Sequence, residues 1–162
     1  MISFLKRCER WLALLNTAIV FSAIAVVVLF TFGQAVDRYL LKTAFSAHDQ
    51  VAKIGLVWLV FTGTAAAYTR HENLRIDLIA KYLSPNILQW RETLFETAIF
   101  CLCLLIHIKA WDVINVASFQ QIMGTPFTNM LPYSAILLGT ATIAFSCLIR
   151  IISTLSSKKE SP

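Results

Sequence analysis

The charged residues of this 162-residue chain fall in bands. No Asp, Glu, Lys or Arg occurs from Trp11 to Val36, from Ile54 to Thr69, from Thr97 to Ile108, or from Val113 to Ile149. Only 14% of residues are charged and the mean hydropathy is +0.69, whereas soluble domains carry about 25% charged residues. A free-standing soluble protein of this size cannot hide so much apolar surface. In lipid, backbone groups must be satisfied within the spanning segment, so the chain is expected to be helical. A helical span takes about 20 residues, and four spans nearly exhaust the chain.

The expected fold is therefore an all-α integral membrane protein with four transmembrane helices, over about residues 11–32, 49–68, 90–111 and 131–152. It forms one compact helical membrane domain covering residues 1–162, with no soluble domain and no repeat. Lys6, Arg7 and Arg10 precede the first apolar run, as in a signal peptide, but the run exceeds 20 residues. A signal core is about 7–15 residues long, so the segment reads as a retained helix. Trp90 and Trp111 lie roughly 31 Å apart along a helix, which suits two interfacial aromatic belts. Pro132 falls at the start of the fourth span, where proline is tolerated.

Lys and Arg set the orientation. Ten lie in the N-terminal tail, the middle connection and the C-terminal end. Arg38, Lys42, Lys53 and Lys109 lie on the other side. Both termini and the middle connection are thus expected in the cytoplasm, and the net charge of +5 reads as a topology signal with attraction to anionic phospholipid. It does not point to nucleic acid.

Few residues suit chemistry. Of the four cysteines, Cys8 and Cys147 fall near the cytoplasmic side, while Cys101 and Cys103 point about 200° apart around one helix. A thiol oxidase needs reachable pairs. His48 and His107 share an outer depth and His71 lies opposite, so a cytochrome-like haem site has no further support. No cofactor, metal or enzymatic activity is expected. Asn16, Thr17, Ser22 and Thr31 of the first span suit helix–helix hydrogen bonds rather than proton exchange. Glu92 and Glu96 share a face at the start of span three and are expected to form a buried ion pair with a loop arginine or a neighbouring helix. Gly63, Ala65, Ala66 and Ala67 allow close helix packing, which makes span two the expected contact with a partner.

Two connections carry further patterns. From Leu74 to Ser84 the apolar residues Leu74, Ile76, Leu78, Ile79, Tyr82 and Leu83 alternate with charges, giving a short amphipathic interfacial helix over about residues 74–84. Just before it and in its first turn, Arg70, His71, Arg75 and Asp77 are expected to contact lipid headgroups or a partner subunit. The segment Gln120–Pro132 is too apolar for a solvated loop and is expected to pack against headgroups, a neighbour, or the membrane itself.

The stretch Leu56-Val-Trp-Leu-Val-Phe-Thr-Gly-Thr-Ala-Ala-Ala-Tyr, followed by Arg70-His-Glu-Asn-Leu-Arg-Ile-Asp-Leu-Ile, resembles the small membrane (Q) subunit of TRAP transporters, the tripartite ATP-independent periplasmic transporters. Gly124-Thr-Pro, Pro132 and Gly139 match that family's entry into the last span, and Ser46-Ala-His-Asp-Gln departs from its usual pattern before span two. The resemblance covers roughly residues 5–155. It implies a non-catalytic subunit of the bacterial inner membrane in a sodium-coupled transporter. The substrate would be an organic acid such as a C4-dicarboxylate or sialic acid. Implied partners are a large elevator-type membrane subunit, for which this chain is the scaffold, and a periplasmic substrate-binding protein that docks on the complex. A self-sufficient small transporter and a stand-alone redox protein are the competing classes.

Overall fold

The computed structural model of the chain describes residues 2–42, 46–70 and 85–159, with side chains over 7–40, 42, 47–70 and 90–154. Four long helices account for most of them: α1 (Ile2–Val36), α2 (Ser46–Thr69), α3 (Pro85–Ala117) and α4 (Met130–Lys159). All four are long and apolar enough to cross a membrane, so the protein is a multi-pass membrane protein. Each helix outruns the span that its charge-free stretch predicts. Loss of charge marks the edge of hydrocarbon, whereas the helix continues into the headgroup layer until a cap or a proline stops it. The interfacial helix expected over 74–84 lies outside the described residues.

α1 ends in a π-helical turn, Asp37–Leu41, closed by Lys42 in the left-handed conformation with its N–H on the Asp37 carbonyl. α3 begins at Pro85, where the missing N–H costs nothing because first-turn donors lack helical partners anyway. α4 takes Pro132 within its first turn for the same reason.

The helices pack as a row rather than as a closed bundle. α1 packs on α2, α2 on α4, and α4 on α3, with α1 also touching α4. α1 and α3 share no packed face among the described residues. The core of the row is rich in small side chains, with Ile54, Tyr68, Ile114, Ile122 and Ile149 set among them. Ala23, Ala65, Ala66, Ala110, Ala117, Ala135, Cys103 and Cys147 are buried, while Trp11, Phe21, Phe32, Trp90, Leu105 and Trp111 are exposed. This is the arrangement lipid selects: tails are as apolar as leucine, so helices associate through close backbone approach and interhelical hydrogen bonds.

Two glycines set the closest approaches. A Cβ on Gly139 of α4 would lie 2.9 Å from the Phe61 carbonyl oxygen and 3.1 Å from the Phe61 Cβ. A Cβ on Gly55 of α2 would lie 3.0 Å and 3.2 Å from methyls of Val27 and Val26 in α1. Gly63 has more room, with Val20 of α1 at 3.8 Å. Gly55 and Gly63 of α2 thus face α1 of the same chain, and Gly139 of α4 faces α2. The exposed apolar surface available to a partner lies mostly on α1 and α3.

At one end of the row, Trp58 of α2 donates its indole N–H to the Leu131 carbonyl at the start of α4, 3.0 Å away. Trp58→Phe keeps the ring and deletes this bond. It should cost about 1 kcal/mol, the net worth of one hydrogen bond, read as a modest fall in the melting temperature of the purified chain in detergent.

Candidate functional site, an interhelical polar belt

Near the end of the row formed by the N-termini of α1 and α3 and the C-termini of α2 and α4, polar side chains link all four helices. Their centre is a charge cluster. Arg150 of α4 donates through Nη1 to Glu96 Oε1 of α3 at 3.1 Å, and the two side chains are only 13% and 11% exposed. Its Nη2 donates to the Tyr68 backbone carbonyl of α2. The guanidinium plane also covers the Tyr68 ring, 4.3 Å from the ring centroid. The Tyr68 hydroxyl in turn donates to Glu96 Oε2 and lies 3.1 Å from Cys147 Sγ of α4. One guanidinium therefore serves a carboxylate, a carbonyl and an aromatic face on two other helices. Lysine, with a single compact ammonium on a flexible stem, does not reproduce that fork.

This local arrangement has a helix-end logic. The last turn of α2 has carbonyls without intrahelical donors. The Tyr68 carbonyl is among them, and Arg150 satisfies it while bringing positive charge to the negative end of the helix. Glu96 sits six residues into α3 from Trp90, about 9 Å along the axis, and it is buried. Glu92, one turn earlier, is exposed, because a step of about 5.4 Å carries it toward water. The sequence placed both glutamates on one face; depth separates them, and only Glu96 meets Arg150.

Two further links run from α1. Asn16 is fully buried, and its amide donates to the Leu12 carbonyl at 3.0 Å and to Thr142 Oγ1 of α4 at 3.3 Å. The Thr142 hydroxyl donates to the Leu138 carbonyl at 2.9 Å. Thr17 behaves in the same way: it donates to the Ala13 carbonyl and accepts from Arg70 Nη2 of α2 at 2.9 Å. In both cases a hydroxyl bonds back to its own helix and offers a lone pair to a neighbour. Ser22 bonds only back, to Ala18.

Other sequence-selected residues are spread over the row. Arg70 is exposed and joined to Thr17, whereas His71, Arg75 and Asp77 lie outside the described residues. Ala66 is buried and Ala67 half-buried. Cys101 is exposed and Cys103 buried, as their spacing around one helix requires. His107 of α3 meets Thr140 of α4 at 3.1 Å. His48 of α2 faces Asp37 of the π-helical turn and lies near the Phe30 ring. The two histidines thus belong to different helix pairs. Tyr68 and Arg150 were not singled out from the sequence as partners of Glu96. Their signal is a depth match: each lies near the same edge of the row as Glu96 does.

In the belt Glu96 is paired with Arg150, and the hydroxyls of Thr17, Tyr68 and Thr142 each donate to a carbonyl or carboxylate. What it does chemically is fix the relative depth and rotation of four helices. A family model describing the DctQ component of tripartite ATP-independent periplasmic transporters matches residues 27–157, from the last third of α1 almost to the end of α4. No individual curated protein matches the chain.

Proposed function

Because the chain belongs to the DctQ family of tripartite ATP-independent periplasmic transporters, we propose that it is the non-catalytic small membrane subunit of such a transporter and serves as its fixed frame. The observation that carries this reading is the polar belt. A protein that must change shape to move a solute keeps its polar contacts exchangeable, whereas here Glu96, Arg150, Tyr68, Arg70, Thr17, Asn16 and Thr142 tie every helix to another. An elevator-type large subunit needs such a frame, held at constant depth, to move against.

The proposal extends to the setting. The chain sits in the bacterial inner membrane with both termini and the belt on the cytoplasmic side, where most of its Lys and Arg residues fall. The large subunit carries the sodium and organic-acid sites. The periplasmic binding protein docks at the opposite end. Arg70, with His71, Arg75 and Asp77, contacts headgroups or the large subunit, and the Arg70–Thr17 bond orients the start of that segment. Gly63, Ala66 and Ala67 pack within the chain.

Reconstitution tests the reading. Liposomes holding the large subunit, this chain and the binding protein should take up labelled succinate or N-acetylneuraminate along an inward sodium gradient. Leaving out this chain should reduce uptake to background, and Arg70→Ala should lower both uptake and the yield of the membrane complex. Uptake by this chain alone would replace the frame with a self-sufficient transporter.

A further inference from the structure

We infer that the connection between α3 and α4 is a lipid anchor: a self-bonded hairpin whose Phe119 and Met123 sit among the phospholipid headgroups and upper acyl chains at the end of the frame opposite the belt. Three independent features carry this. The first is charge. Not one Asp, Glu, Lys or Arg occurs from Val113 to Ile149, so the whole connection, as well as the spans that flank it, is uncharged. A loop standing in water has no reason to avoid charge over such a length, and the rim of a protein interface is polar and charged.

The second feature is the backbone. Ile122 N–H donates to the Phe127 carbonyl at 2.9 Å and Asn129 N–H to the Gln120 carbonyl at 2.8 Å, closing a small antiparallel hairpin. Gly124, at φ 77°, makes the turn, a conformation that glycine takes without steric cost. Thr125 N–H and its hydroxyl both reach the Ile122 carbonyl, and Leu131 N–H reaches the Thr128 carbonyl. The amide of Asn129 reaches Gln120 Oε1. A segment that pairs part of its backbone internally in this way lowers the cost of leaving bulk water, since unpaired backbone groups are what the hydrocarbon excludes, and the groups that remain suit the hydrated headgroup layer.

The third feature is the placement of apolar side chains. Ile122 is buried against the protein, while Phe119 is 89% exposed and Met123 86% exposed. They continue the exposed surface of the spans themselves, from Trp111 and Val116 on α3 to Met130 and Leu131 on α4. The hairpin therefore extends the exposed apolar surface of the two spans that it joins. Aromatic and amphipathic groups at that level fix the depth of a membrane protein.

The test places the photoreactive residue p-benzoylphenylalanine at position 119 or 123 in the whole complex in native membranes. After irradiation the chain is purified and weighed intact. Phospholipid adducts as the main product at both positions are expected. A protein adduct at either position, or an unreacted chain at both, would overturn the anchor. A second measurement needs no substitution. The wild-type chain in phospholipid nanodiscs is exposed to a water-borne oxidant, and Met123 sulfoxide is followed by mass spectrometry. Burial among lipids should slow its oxidation roughly ten-fold relative to the solvent-unfolded chain, because oxidation follows exposure. Oxidation at the unfolded rate would contradict the proposal.

Discussion

Arg150→Ala is expected to be the most damaging single change to a charged residue in this protein. It strips Glu96 of its cation, the Tyr68 carbonyl of its donor and the Tyr68 ring of its cover. Removing one partner of a buried ion pair costs about 3–5 kcal/mol, because the remaining charge stays buried and uncompensated. With about 2–4 °C per kcal/mol for a chain of this length, the melting temperature in detergent should fall on the order of 10 °C. Arg150→Lys keeps the charge but loses the fork and the stacking, and should fall between the two. Glu96→Gln should cost less than Arg150→Ala, since a neutral amide oxygen still accepts from Tyr68 and no bare carboxylate remains. A Glu96→Leu, Arg150→Leu pair should recover part of the loss, because apolar replacement of both members removes the desolvation cost of each. Equal melting temperatures for Arg150→Ala and wild type would mean that the cluster does not hold the helix ends together.

The second large effect is steric and lies at the α2–α4 seam, the joint at the middle of the row. Gly139→Leu should separate these helices. The added Cβ meets the backbone of Phe61, at 2.9 Å from its carbonyl oxygen and 3.2 Å from its carbonyl carbon. Backbone cannot rotate away as a side chain can, so α4 must shift, and with it α3, whose main packing is on α4. Overpacking of this kind costs about 1–3 kcal/mol for Gly139→Ala alone, with Leu worse. The same substitution elsewhere gives the control. Gly55→Ala meets its tightest contacts at valine methyls, which can yield, and the Ala23 carbonyl oxygen only at an ordinary 3.6 Å, and should be milder. Gly63→Ala meets Val20 at an ordinary 3.8 Å and should be neutral or slightly stabilising, since alanine is favoured over glycine in a helix by about 1 kcal/mol. Monodisperse yield on size-exclusion chromatography should rank the variants Gly63→Ala, Gly55→Ala, Gly139→Ala, Gly139→Leu. A ranking that put Gly63→Ala at the bottom would contradict the packing described.

These two effects also mark what could be read from the amino acids and what could not. The four helices were legible because lipid leaves one solution for a long uncharged stretch, and the charge bands delimit such stretches directly. The order of packing was not legible. Whether four such helices close into a bundle or open into a row depends on which small residues meet, and Gly139 carries no sign in its own neighbourhood that Phe61 lies opposite. Glu96 was legible as an acidic residue at interface depth needing a cation. Its partner was not, since Arg150 stands 54 residues away on another helix, and local spacing reports only i,i+3 and i,i+4 neighbours. The same spacing rule grouped Glu92 with Glu96, although one turn of depth separates an exposed side chain from a buried one. The Asn16 and Thr17 links fall between these cases: their types announced helix–helix bonding, but not which helix each would find.

On the function proposed above the chain is one part of a larger assembly, and its partner can be sought directly. An affinity tag on this chain, mild detergent extraction of native membranes, and quantitative mass spectrometry of the purified material test that claim with no prior choice of substrate. The account predicts one large, many-span membrane protein recovered in stoichiometric amount, and loss of that protein when Gly139→Leu disrupts the row. A chain that purifies alone, or only with copies of itself, would contradict it.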